Sequence, residues 1–355
     1  MPIRPVHALA AASAVLLAGL GAAPPALAAR PVHVVRPGES IQLAVDAARP
    51  GDVVQLLAGT YRESVEIGVP DLTLRGIGPA TVIAPATGPA ESGAPCATAG
   101  HGVCVTGTAD RIVSGVRIES LTVEGFRKNG LSASRTDRLS VHRLTVRDNG
   151  QQGIGLERST RSVITDNEAR GNGQSGVFLA NSVDEEGGAL DTRGTLVSGN
   201  RLAGNRTGVV LRRTRELTVD HNSVTANCGG VFVVGDEGVP RAGSLTVRQN
   251  HVYENNKYCP PTPRLGYLQG TGILLTGAED TLVTGNRVED NNGASEMSGG
   301  IVLFPSVVGV PNARITVRDN LALRNGPADL ADRDHGVGHT FAGNTCRVSE
   351  PAGRC

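Results

Sequence analysis

Short runs in which aliphatic residues alternate with polar ones fill most of the chain, and an Asn or Gly closes each run. Val146-Arg-Asp-Asn149, Ile164-Thr-Asp-Asn167, Val197-Ser-Gly-Asn200, Val219-Asp-His-Asn222, Val247-Arg-Gln-Asn250, Val283-Thr-Gly-Asn286 and Val317-Arg-Asp-Asn320 share one frame. All but the first are followed five residues later by a second Asn, at 172, 205, 227, 255, 291 and 325. Asn149 belongs to that second column, because 149 to 172 and Gly153 to Gly176 are both steps of 23. Gly-aliphatic-x-aliphatic runs come next, as in Gly176-Val-Phe-Leu179, Gly208-Val-Val-Leu211, Gly230-Val-Phe-Val233, Gly272-Ile-Leu-Leu275 and Gly300-Ile-Val-Leu303.

Each unit holds three short period-2 segments with no helical stretch between them, which predicts three strands per repeat. Such a unit cannot close its own core, but stacked copies can. At a spacing of ~4.8 Å, equivalent strands pair into parallel sheets and equivalent Asn side chains bond from coil to coil. The expected fold is therefore all-β: a single-stranded right-handed parallel β-helix, a solenoid of about ten coils. A cap is expected over 38–61, where Ser40 starts a helix carrying Ile41, Ala44, Val45 and Ala48 and Pro50-Gly51 stops it. Coils then fill roughly 62–345, with a tail over 346–355 closing the far end.

Composition sharpens this picture. The 355 residues include 47 Gly and 20 Pro but only five Phe, four Tyr and no Trp, so the core has to be aliphatic. Basic and acidic residues both number 34, which leaves no net field to draw nucleic acid or an anionic membrane. Arg4, the apolar run from Ala8 to Leu20 and the small-x-small sequence Ala26-Leu27-Ala28 read as a signal peptide over 1–28. The mature chain, 29–355, is expected to be secreted, extracellular and monomeric, with no membrane insertion. Secretion turns the six cysteines into disulfide candidates. Asn227 and Asn255 hold one column on consecutive coils, so Cys228 should bridge to Cys259. Cys96–Cys104 and Cys346–Cys355 would each close a local loop.

The segment from Gly38 to Tyr61, with Gly38-Glu-Ser-Ile-Gln-Leu and Pro50-Gly-Asp-Val-Val-Gln-Leu-Leu, resembles the opening of the pectin-lyase-like superfamily, including NosD and related carbohydrate-binding β-helices. The Asn/Gly units resemble the parallel β-helix repeats of those proteins, and the two resemblances together cover nearly all of the mature chain. They imply a site on the first sheet, the one built from the Gly-aliphatic runs, flanked by turns on both sides. Five insertions border that sheet: 182–194, 235–243 and 304–313 follow its strands, and 256–270 and 292–299 precede them. Loops gathered on one face either carry function or cover an apolar surface. The outward positions Ser132, Gly155, Phe178, Val210, Phe232, Leu274 and Val302 lack the acid cluster required for calcium-dependent elimination or paired-carboxylate hydrolysis.

Chemistry would then have to come from the loops. Removing a proton beside a uronate carboxylate takes a base, a proton donor and a cation that stabilises the enolate. Lys257 (one of two lysines), Tyr258, Arg264 and Tyr267 lie before the strands, and Glu186, Asp236 and Glu237 lie after them. These seven are the catalytic candidates. Phe178 and Phe232 are candidates for a sugar platform, with Arg212, Asp184 and Asp191 beside them. No cofactor motif is present; Ca2+ is the one ion kept as a candidate, and no metal site is assigned. Copper handling would want clustered Met, Cys or His. Met297 is the one Met left after maturation, and Asp332, Asp334, His335 and His339 read as a terminal loop. The expected partner is an extracellular polysaccharide, which the protein binds and alters by β-elimination or epimerisation of a uronate polymer. A non-enzymatic surface or matrix binding module and a metal-handling accessory protein are the alternatives.

Overall fold

Three long parallel sheets run the length of the molecule in the computed structural model, which describes residues 1–2, 30–88, 94–182, 185–263 and 265–355. The expected signal peptide beyond residue 2 lies outside the described residues. The first sheet has 11 strands, from Val65–Ile67 to Ser349–Glu350. The second has 12, from Val32–Val35 to Thr340–Ala342, and the third has 10, from Gly59–Arg62 to Leu321–Leu323. Register is kept from coil to coil: Val177, Val209, Val231, Ile273 and Ile301 pair in one row of the first sheet. The result is the expected single-stranded parallel β-helix.

The core follows from the alternation. Val123, Val146, Ala169, Leu202, Val224, Val252, Val288 and Ala322, the inward positions of the third sheet, are all 0% exposed. Each large aliphatic side chain so buried contributes about 1.5–3 kcal/mol, and this suffices without aromatic residues. The Gly that opens each first-sheet strand is required by close approach. A Cβ on Gly230 would collide with the carbonyl oxygen of Gly272 on the next coil.

Both Asn columns form the ladders that the frame predicts. In the first, Nδ2 of Asn167, Asn200, Asn222, Asn250, Asn286 and Asn320 donates to Oδ1 of the next Asn at 2.9–3.0 Å, ending on Asn344. The second runs from Asn149 to Asn325 and closes on Asp329, whose Oδ1 accepts from Asn325 Nδ2 at 3.1 Å. The residue before each ladder Asn is left-handed, as at Asp148 (φ 57°) and Gly171 (φ 64°), which explains the recurrent Asp-Asn and Gly-Asn pairs.

Both ends depart from expectation in detail. The cap helix spans Ile41–Ala47, with Ser40 Oγ accepting from Leu43 N at 3.3 Å, and it buries Ile41 and Val45. A strand, Val32–Val35, precedes it and pairs with Val53–Leu56, so the cap begins earlier than position 38. A second short helix, Pro95–Ala99, carries Cys96. At the far end the tail adds the strand Ser349–Glu350 to the first sheet as well as closing the last coil. All three disulfides form as the register predicts, Cys96–Cys104, Cys228–Cys259 and Cys346–Cys355, with Cα separations of 5.8, 5.9 and 5.2 Å.

Candidate functional site

The outward face of the first sheet is divided in two. Over its later coils, Cys228, Phe232, Cys259, Leu268, Leu274, Met297, Val302, Ala328 and Ala331 form a second apolar cluster. Segments 256–270 and 292–299 cover it, pinned by the Cys228–Cys259 bridge and by reciprocal 3.0 Å backbone bonds between Cys259 and Leu268. Phe232 is 4% exposed, so the expectation that it stacks on a sugar is corrected: it is core for the covering loop. Met297, 8% exposed in the same cluster, has no access to a soluble metal. Phe178 stays half-buried on the open part of the sheet, in one row with Gly155 and Val210.

Acids collect on the edge that follows the strands, but an arginine engages them. Arg213, 5% exposed, forms ion pairs with Asp236 and Glu186 and donates through Nη1 to Glu185 O at 2.8 Å. Burial opposes its charge, yet Asp236 and Glu186 outweigh that and hold its pKa above the ordinary arginine value. Arg158 pairs with Glu185 in the same way. Asp191 accepts from the backbone of Arg193 at 2.8 Å, and Glu237 is exposed. Arg212 is half-buried, and Asp184 lies outside the described residues. These contacts tie the loop around 182–194 to the loop around 235–243.

The opposite edge holds the cations. Lys257 is exposed and donates through Nζ to Gly204 O at 2.8 Å. Tyr258, 57% exposed, faces Tyr267 with ring centroids 5.7 Å apart. The Tyr267 hydroxyl donates to Ala294 O. Between this edge and the acids lies a strand such as Gly229–Val234, whose 6 residues span ~20 Å. The six described catalytic candidates are therefore not brought together. Lys257, Tyr258 and Tyr267 share one edge, Asp236, Glu237 and Glu186 lie on the other, and Arg264 is outside the described residues.

Arg206 belongs with Lys257 and was not among the candidates. It directly follows ladder residue Asn205, a position held by Gly150, Gly173, Cys228, Asn256, Asn292 and Gly326 in the other units, and being the one charged residue there was its sequence signal. Its Nη1 donates to Pro260 O at 3.0 Å, while Nη2 is buried with no partner. Burial lowers its pKa from the ordinary arginine value. Neither Arg206 nor Lys257 has a carboxylate partner among the described residues. A half-buried charge without a counterion is costly to keep unless something neutralises it.

Asp332, Asp334 and His339 place ligand-type atoms within 4.8 Å of one another near the C-terminal end. Protein groups engage Asp334, His339 and one oxygen of Asp332. Asp334 Oδ2 accepts from Asn312 N at 2.8 Å, and Asn312 Oδ1 accepts from Ala278 N, so Asp334 ends a third ladder. Ile315 N donates to His339 Nδ1 at 3.3 Å, so the ring proton sits on Nε2, facing Asp334 Oδ1 at 3.3 Å, and no lone pair there is free for a metal. Asp332 Oδ2 accepts from Arg354 at 3.0 Å, while Asp332 Oδ1 is buried without a partner.

Two family models match parts of the chain: a right handed beta helix region over residues 96–242 and the periplasmic copper-binding protein NosD over residues 186–306. No curated protein matches the sequence. The A-module of the mannuronan C-5 epimerase AlgE6 from Azotobacter vinelandii superposes with a TM-score of 0.57 at 20% identity, covering 86% of this chain and 88% of that one. An alginate lyase from Paenibacillus sp. strain FPU-7 gives 0.56 at 16% identity over 86% and 98%. A DFA-IIIase from Arthrobacter chlorophenolicus A6 gives 0.59 at 15% identity over 83% and 74%. The chain is thus a right-handed parallel β-helix protein. At these identities the structural likeness concerns the fold.

Proposed function

We propose that this is an exported protein that binds an extracellular acidic polysaccharide, of the uronate-polymer class, at the first-sheet edge marked by Arg206, Lys257, Tyr258 and Tyr267. The observation that carries the reading is the uncompensated guanidinium of Arg206, with Lys257 reaching the same turn through Gly204 O. A carboxylate at the solvent-facing side of that pair would neutralise both charges, and charge-assisted bonds of this kind are stronger than neutral ones. The tilted Tyr258–Tyr267 pair offers an aromatic surface beside them for a sugar ring. Three disulfides fit an oxidising compartment. Structural neighbours named as a mannuronan C-5 epimerase and an alginate lyase add support by analogy of fold.

Calorimetric titration of the mature protein with polymannuronate, polygalacturonate and neutral dextran tests the proposal. Binding to a uronate polymer but not to dextran is expected, weakening with salt and falling at least about tenfold in Arg206→Ala at unchanged melting temperature. Equal binding of dextran, or an unchanged Arg206→Ala, would reject it. Turnover is a separate matter read in the same samples. Absorbance at ~235 nm reports the unsaturated product of β-elimination, and proton NMR reports inversion at C5.

A further inference from the structure

Lys128, the other lysine of the chain, lies on the same edge as Arg206. Backbone bonds stack the residues that precede the first-sheet strands into a row: Gln151 N donates to Lys128 O at 3.0 Å, Gln174 N to Gln151 O at 2.9 Å, and Arg206 N to Gln174 O at 2.8 Å. The row advances one residue per coil along the solenoid axis, with a cation at each end and two exposed glutamines between them. Lys128 to Arg206 is three coil steps, or ~14 Å. Lys128 is exposed and, like Arg206, has no carboxylate partner among the described residues. Beside it, Asn129 N donates to His101 Nδ1 at 3.1 Å, which fixes the imidazole proton on Nε2 and adds a hydrogen-bond donor at that end.

Resting on the acidic-polysaccharide reading, we propose that the polymer lies parallel to the solenoid axis along this row, with Lys128 as a second anion contact. The exposed amides of Gln151 and Gln174 meet sugar hydroxyl and ring oxygens between the two cations. A pyranose chain advances by roughly one coil spacing per residue, so carboxylates three sugars apart face Lys128 and Arg206 together. A ligand of about four sugars or more engages both, and a shorter one engages only one. Lys128 then sets the minimum productive length, while Arg206 and Lys257 set the preference for negative charge.

A length series separates this inference from the reading beneath it. Titrations of the mature protein with uronate oligomers from dimer to octamer should show affinity rising about tenfold between trimer and pentamer and then levelling. Lys128→Ala should remove that step and leave the dimer and trimer unchanged, whereas Arg206→Ala should weaken every length. A wild-type series without the step overturns the inference. So does a Lys128→Ala protein that keeps the step, or one that loses short and long ligands equally, while Arg206→Ala still weakens binding. Absence of binding at every length would instead reject the acidic-polysaccharide reading itself.

Discussion

Removing one rung from the middle of the second Asn ladder tests whether these columns hold the coils together. Asn227 is 0% exposed. Its Oδ1 accepts from Asn205 N at 2.8 Å and Asn205 Nδ2 at 3.2 Å, and its Nδ2 donates to Leu202 O at 3.0 Å and Asn255 Oδ1 at 2.8 Å. In Asn227→Ala, Asn205 Nδ2 keeps Ala169 O and Asn255 Oδ1 keeps Asn227 N, but the Asn205 N–H is left buried without a partner. An orphaned buried donor costs ~1–3 kcal/mol and each of the three further lost bonds about 1 kcal/mol net, so a loss of about 4–6 kcal/mol is expected. Asn344→Ala, at the half-buried end of the first ladder, removes similar bonds where water can replace them, and should cost about 1 kcal/mol. Asn227→Asp should be worse than Ala at neutral pH, because a carboxylate oxygen would face Leu202 O and Asn255 Oδ1. Urea unfolding followed by far-ultraviolet circular dichroism measures all three. Equal losses for Asn227→Ala and Asn344→Ala, or less than about 1 kcal/mol for the former, would refute the account.

Two further predictions concern the disulfides and pH. Replacing Cys228 and Cys259 by Ser opens a sequence separation of 31, against 8 for Cys96–Cys104, so it should cost more: up to about 3–4 kcal/mol against about 2–3 in the entropic model. The same change should expose the 256–270 segment to limited proteolysis; a larger loss from the short loop would contradict this. His101 is held neutral, its pKa pushed from 6.5 to about 4 by burial and then by Lys128. The unfolded chain therefore takes up a proton between about pH 6.5 and 4 that the folded chain does not, so stability present above pH 6.5 declines across that window. Thermal melts from pH 8 to 4 should show a decline that shrinks in His101→Gln; an equal decline in both proteins would remove His101 as its source.

The fold was legible because a solenoid repeats its physics at every coil. A Val two residues after a ladder Asn is inward at Val224, Val252 and Val288 for the same pleating reason, so one inspected coil stands for the rest. Cys228–Cys259 could be paired for that reason too: Asn227 and Asn255 fix the coil step, and the bridge only has to span it. The site was harder to see because its determinants are not periodic. The insertion spacing shows that 256–270 and 235–243 border one sheet, and it gives each an edge. It does not show that the first folds down over Phe232, which hides an aromatic residue whose outward register is correct.

Charge identity misleads in a second way. Asp236 and Glu186 look available in sequence, and Arg213 looks like one arginine among many. Yet Arg213 points between the two loops and binds both acids. Arg206 sits seven residues earlier, at the other end of the strand Thr207–Arg212, and finds only a backbone carbonyl. One strand thus separates an arginine that staples loops from an arginine left to meet a ligand. What distinguishes them is the sign of the charge on the insertion each one faces. The post-strand insertions 182–194 and 235–243 carry most of the insertion acids, whereas the pre-strand insertion at 256–270 brings Lys257 and no acid, and 292–299 holds a single one, Glu296. The asymmetry places positive charge on the open side of the sheet and neutralises it on the other. An anionic chain lying along the pre-strand edge is the arrangement that this distribution favours.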